Sequence, residues 1–120
     1  MAKVLTVDDA MFMRTMLRRI LEPEGFEVVE AEDGAHGVEA YKEHQPDVVL
    51  MDVTMPNMDG IEATRAIKAV DPNARIIICS ALGQEATVIK ATEAGACDYV
   101  TKPFQPQQVL EAVKRVLSEN

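Results

Sequence analysis

The sequence predicts a doubly wound α/β domain, and three observations predict it. Five short apolar runs alternate with segments whose apolar residues recur at helical spacing. The runs carry no polar alternation, as strands of a parallel sheet covered on both faces require. The connections are short, which suits right-handed β–α–β crossovers between neighbouring strands.

Each element has its own signal. Lys3 to Val7 is an apolar run that stops at Asp8 and Asp9. Met13, Met16, Leu17, Ile20 and Leu21 then form the stripe of an amphipathic helix, which ends in Glu22, Pro23, Glu24 and Gly25. Phe26 to Ala31 is the second strand, punctuated by Asp33 and Gly34. A short helix with Val38 and Tyr41 on one face runs to His44, where Gln45 and Pro46 break it. Val48 to Met51 is a third, wholly apolar strand that ends at Asp52. A loop from Val53 to Gly60 leads into a helix carrying Ile61, Thr64, Ile67 and Val70, and Asp71 to Asn73 is a turn. Arg75 to Cys79 is the fourth strand, stopping at Ser80, and about Gln84 to Ala94 is the fourth helix, with Gly95 as its stop. Tyr99 to Thr101 is the fifth strand, ending at Lys102 and Pro103. Pro106 suits the first turn of a last helix whose buried stripe is Val109, Leu110, Val113, Val116 and Leu117.

The 120 residues make one domain, 1–120, large enough for a single buried core. Apolar residues at 48% and charged residues at 27% describe an ordinary globular chain, and no apolar run approaches a membrane span. The acidic pair so near the N-terminus leaves no room for the long apolar stretch of a signal peptide. Twelve basic against twenty acidic residues give a net charge of −8, which repels a nucleic-acid backbone. With 4% aromatic residues and no Trp, stacking platforms for bases or flavins are scarce. Cys79 and Cys97 have neither zinc-finger spacing nor a nearby histidine pair, so the cysteines point to a reduced cytoplasm rather than to a disulfide scaffold.

Four of the five strands run into a chemically useful group: Asp8 with Asp9, Asp52, Ser80 and Lys102. In an open α/β sheet, ligands sit beyond the carboxyl ends of the strands. Acids gathered there raise each other's proton affinity, and a hard dication relieves the repulsion. A carboxylate is also a nucleophile toward phosphorus, and the transferred group then needs positive charge around its oxygens. Mg²⁺, Lys102, the Ser80 hydroxyl and main-chain N–H groups would supply it.

The ordered set resembles the receiver domains of two-component response regulators, most closely their single-domain chemotaxis members. It comprises Val7, Asp8 and Asp9 after the first strand, Asp52 ending the third, and Met55-Pro56-Asn57-Met58-Asp59-Gly60 beyond it. Ser80-Ala81 and Lys102-Pro103-Phe104 complete the set, which spans essentially the whole chain. The run from Asp8 to Arg14 is itself similar to one branch of chemotaxis regulators. The resemblance implies a flavodoxin-like sheet of five parallel strands, in the order 2-1-3-4-5, with five helices. It implies that Asp52 accepts a phosphoryl group from a phosphohistidine of a histidine kinase. Asp9 would bind Mg²⁺ directly, Asp8 mainly through water, and the Thr54 main-chain carbonyl would complete the protein ligands with Asp52. Lys102 would bond the phosphoryl group, Ser80 would move to bond it too, and Tyr99 would be the aromatic switch. The bond between Lys102 and Pro103 would be cis. A flagellar motor switch protein or another protein target would read the switched surface of a cytoplasmic monomer, with a phosphatase as a further partner. Thr54 and Leu82 depart from the best-known chemotaxis pattern at positions that tune dephosphorylation. A carrier passing phosphate between histidine proteins is the alternative function. In either role the protein catalyses only its own phosphorylation and dephosphorylation.

Each residue has a plainer reading. Asp8 and Asp9 would serve as helix caps, Asp52 as an exposed strand end, Ser80 as a loop hydroxyl, Lys102 as a surface lysine and Tyr99 as core. The six methionines between Met11 and Met58 read as packing residues, His36 and His44 as solvated, and Cys79 as structural. Two rival chemistries fit less well. A flavin-binding domain needs a hydroxyl-rich loop where Asp8 and Asp9 stand. A haloacid-type phosphatase needs an acid where Thr54 stands.

Overall fold

The computed structural model describes residues 2–55, 58–81 and 83–119. Among them are β1 (Lys3–Val7), α1 (Met11–Leu21), β2 (Glu27–Ala31), α2 (Gly34–His44), β3 (Val48–Asp52) and α3 (Gly60–Val70). β4 (Ile76–Ala81), α4 (Glu85–Glu93), β5 (Asp98–Lys102) and α5 (Pro106–Ser118) follow. A 3₁₀ turn at Glu22–Glu24 closes α1, as the Glu-Pro-Glu-Gly signal predicts. The five strands are all parallel and lie in the order β2-β1-β3-β4-β5, the flavodoxin-like arrangement.

The unbroken apolar runs have a direct cause. Val49 and Met51 of β3 and Ile76 and Ile78 of β4 face one layer, where Val38, Tyr41, Ala63, Ile67 and Ala91 pack from α2, α3 and α4. Val48 and Leu50, with Ile77 and Cys79, face the other, against Leu17 and Leu21 of α1 and Val109, Val113 and Val116 of α5. Successive side chains of a strand point to opposite faces, and both faces here are covered, so neither parity can be polar.

The structure corrects several local expectations. β3 and β5 end at Asp52 and Lys102 as expected, whereas β4 continues past Ser80 to Ala81. The ladder extends because Asp52 pairs with Cys79, Ser80 with Thr101 and Ala81 with Lys102. Conversely, Phe26 and Arg75 lie outside their strands. The buried face of α3 is Gly60, Ala63, Thr64 and Ile67, whereas Val70 is 49% exposed. Val70 belongs to the last turn and borders a hollow beside Tyr41 and Pro46. In α1, Leu17 and Leu21 are buried while Met11 is 70% exposed, so Met11 is not a packing residue. It lies on the side of the helix opposite the buried stripe. His44 is half-buried rather than solvated, because the end of α2 lies over Lys3, whose Nζ donates to the His44 carbonyl (3.1 Å). His36 is exposed, and Cys79 is fully buried, which pushes its thiol far above the ordinary range.

Among the described residues, no helix is long and apolar enough to cross a membrane.

Candidate functional site

The site occupies the carboxyl edge of the central strands, beside the point where strand order reverses from β1 to β2 on one side and to β3 on the other. Asp8 follows β1 directly and is buried; Asp52 is the buried end of β3, and Ser80 is buried one residue before the end of β4; Asp9 is exposed. One carboxylate oxygen from each of Asp8, Asp9 and Asp52 lies within 4.8 Å of the others.

Lys102 joins the acids. Its Nζ donates to Asp8 Oδ2 and to Asp52 Oδ1, both at 3.0 Å. The other Asp8 oxygen accepts from the Ala10 N–H at 2.9 Å, so both oxygens of that carboxylate are held. Capping is thus only a local part of its role. The helix N-cap itself is Ala10, which makes no side-chain cap bond. Burial raises the Asp52 carboxyl above the ordinary range, and the Asp8 charge adds to the rise; Lys102 and the Thr54 N–H oppose it without reversing it. Burial alone would lower the Lys102 ammonium. Its hydrogen bonds to Asp52 and Asp8, and their charges, outweigh burial and hold it above the usual lysine range.

The loop after β3 is fixed by glycine. A Cβ on Gly60 would lie 2.1 Å from the Asp52 main-chain oxygen, and one on Gly34 would lie 2.2 Å from the Met58 oxygen. The Gly60 N–H also donates to the Val53 carbonyl (3.1 Å), so α3 starts hard against the strand that carries Asp52. The Asp59 side chain caps the helix there, accepting from the Glu62 N–H. Pro56 and Asn57 of this loop, and Leu82 after β4, lie outside the described residues.

The remaining expected residues fall around this centre. Thr54 is exposed two residues beyond Asp52. The peptide bond between Lys102 and Pro103 is cis. Tyr99 is 52% exposed, which removes the core reading, and it borders a cavity of about 380 Å³ with Ser80, Val88, Ile89 and Thr101. Two contributors appear in the sequence only within longer motifs, with no role of their own. Gly60 carries its signal only as part of the Met58-Asp59-Gly60 loop. Arg14 donates through Nη1 to the Asp8 carbonyl at 2.6 Å, and its sequence signal is its place at the end of the Asp8–Arg14 run, one turn into the helix after the acids.

The donor set fits a hard divalent cation. Three carboxylates supply oxygen donors to one point, and Mg²⁺ takes a few carboxylates together with water and phosphate oxygens.

Comparison with known proteins points the same way. The response regulator receiver domain family matches residues 4–114. The chain is 58% identical over 117 residues to a chemotaxis protein CheY of Bacillus subtilis, covering 97% of this chain and 98% of that one. It is 56% identical over 115 residues to a chemotaxis protein CheY of Thermotoga maritima, covering 95% and 96%. The response regulator domain of Thermotoga maritima CheB superposes with a TM-score of 0.91 at 36% identity, covering 99% of this chain and 98% of that one.

Proposed function

Because this chain belongs to the response regulator receiver domain family, we propose that it is a CheY-like chemotaxis regulator that is phosphorylated on Asp52 and switches a protein-binding surface. Proteins of this family are signalling proteins, not enzymes acting on an external substrate. The observation that carries the reading is the convergence of Asp8, Asp9 and Asp52 on one point, with Lys102 bonded to two of them at the sheet edge.

The phosphodonor is a histidine kinase. A carboxylate oxygen of Asp52 attacks phosphorus, an O–P bond forms, and the P–N bond to the donor imidazole breaks with its electron pair left on nitrogen. Asp9, Asp52 and the Thr54 carbonyl would hold a Mg²⁺ ion, with Asp8 acting mainly through water, and the ion would supply positive charge at the transferred oxygens. Lys102 adds a compact cation bonded to Asp8 and Asp52. Its ammonium already reaches the Asp52 oxygen that becomes the bridging or neighbouring atom of the acyl phosphate. The Ser80 hydroxyl, buried one residue before the end of β4, turns toward the new oxygens. The cavity beside it has room for the Tyr99 ring to move inward, which reshapes the surface of α4, β5 and α5. A flagellar motor switch protein is the target, and the protein works in the cytoplasm as a monomer, with a phosphatase as a further partner. The similarity to chemotaxis proteins favours this role over that of a phosphate carrier.

The test is labelling with acetyl phosphate and Mg²⁺, followed by intact-mass measurement. Wild type gains one phosphoryl group and Asp52→Asn gains none; equal labelling of both would sink the assignment.

A further inference from the structure

The acidic turn after β1 is held from every side, and one of its restraints comes from outside the acid cluster. The Asp8 N–H donates to the Ala31 carbonyl of β2 (3.1 Å). Its carboxylate is engaged by Ala10 and Lys102. Its carbonyl accepts from Arg14 Nη1 at 2.6 Å. That carbonyl belongs to the peptide unit joining Asp8 to Asp9, and a peptide unit is planar. Fixing its oxygen fixes the rotation of the whole plane, and hence the direction in which the chain presents the exposed Asp9 side chain. Arg14 is itself anchored. Its Nε donates to Glu30 Oε1 (3.0 Å), its side chain is 12% exposed, and the second Glu30 oxygen takes Arg18 Nε (2.8 Å). Burial would raise the Glu30 carboxyl, but the Arg18 and Arg14 hydrogen bonds hold it below the ordinary range.

We propose that Arg14 is the positioning residue of the cation pocket: its guanidinium, braced on Glu30, locks the peptide plane between Asp8 and Asp9 and thereby aims the two acids at one point. This rests on the metal-dependent reading above. The fork of a guanidinium suits the task, because one group serves a carboxylate and a carbonyl at a fixed angle.

The sign of the effect separates this role from simple electrostatics. Arg14 is a cation beside a cation site, so removing its charge should tighten Mg²⁺ binding if charge were all that mattered. Removing the brace should weaken it. Outer-shell partners of metal ligands are worth on the order of 10-fold in affinity. The experiment is calorimetric titration of Mg²⁺ into the folded full-length protein at 25 °C, with melting temperatures measured without metal. Arg14→Met should weaken Mg²⁺ about 10-fold. Arg18→Met removes the other Glu30 partner but no contact to Asp8. It should lower the melting temperature and leave Mg²⁺ affinity unchanged. Should Arg14→Met fail to fold, Arg14→Lys keeps the charge and stem without the fork, and it too should lose affinity. Affinity that is unchanged or tighter in the Arg14 variants overturns the positioning role, as does an equal loss in Arg18→Met. A wild-type protein that takes up no Mg²⁺ overturns the metal reading and this inference with it.

Discussion

Replacing Lys102 with methionine tests the charge balance of the site. Methionine keeps most of the stem and removes the ammonium that Asp8 and Asp52 share. The two carboxylate side chains are only 3% and 8% exposed, so water cannot replace it well. Breaking a buried ion pair by deleting one partner destabilises by about 3–5 kcal/mol. The lower end applies here, because Asp9 and the mouth of the site meet solvent. A loss of about 3 kcal/mol is roughly 12 °C in melting temperature at about 4 °C per kcal/mol. Two conditions should restore it. Mg²⁺ at about a hundred times its dissociation constant stabilises the native state by about 2.7 kcal/mol, nearly the whole loss. The gain in wild type should be smaller, because there the ion competes with Lys102 for the same oxygens. Lower pH should also help. The Asp52 carboxyl is already raised in the folded protein, so its ionisation opposes folding. That opposition is absent below the unfolded pKa and grows as pH rises through the folded one. Removing Lys102 raises it further, so the deficit should shrink as pH falls from 7 toward 5. Calorimetric melting with and without Mg²⁺ reads both effects. A variant that melts within about 4 °C of wild type without metal, or gains no more from Mg²⁺ than wild type does, would refute the reasoning.

Three further outcomes follow from the same geometry. Gly60→Ala drives a Cβ into the Asp52 main-chain oxygen and should destabilise by about 1–3 kcal/mol in urea unfolding while lowering acetyl phosphate labelling. Asp9→Ala should weaken Mg²⁺ more than Asp8→Ala in calorimetric titration, since both Asp8 oxygens already accept hydrogen bonds from Ala10 and Lys102. Ser80→Ala should still be labelled at Asp52 but lose the beryllofluoride-induced shift of the Tyr99 ring resonances, whereas Ser80→Thr should keep both; a full shift in Ser80→Ala would remove Ser80 from the coupling route.

The fold was legible because its main determinant is local. Runs such as Val48 to Met51 report burial on both faces without reference to any other part of the chain. The strand-end groups were legible for a related reason: a charged residue that stops an apolar run must sit at the edge of the sheet. What periodicity does not carry is contact between main-chain atoms of distant segments. The close approach of Gly60 to the Asp52 main-chain oxygen is of that kind, and the bond from the Arg14 side chain to the Asp8 carbonyl likewise depends on how the chain turns between them. Nor does a helical stripe show where its cover stops, so Val70 is expected inside and lies half outside, and residue type alone does not bury Met11, which is 70% exposed. For Tyr99 the structure decides between the two readings. A β-strand aromatic is usually core, but β5 is an edge strand and its outward position is half solvent.

That edge position bears on how a charge at Asp52 reaches a partner. Lys102 ends β5, three residues beyond Tyr99, and the last pairs of the ladder join Ser80 to Thr101 and Ala81 to Lys102. The two groups proposed to engage the phosphoryl oxygens therefore leave adjacent, paired strands, and Tyr99 lies on one of them. At rest Lys102 is shared between two acids; on the proposed route, phosphorylation would move negative charge outward onto new acceptor oxygens and change which of them it serves. The switch can move the equilibrium only by the difference in these bonds between the two states. A hydrogen bond to a charged group is worth about 1.5–3 kcal/mol. At about 1.4 kcal/mol per decade this is on the order of 10- to 100-fold. A coupling of that size leaves the unphosphorylated protein visiting the active surface at a low level, so the response is graded in phosphorylation rather than all-or-none.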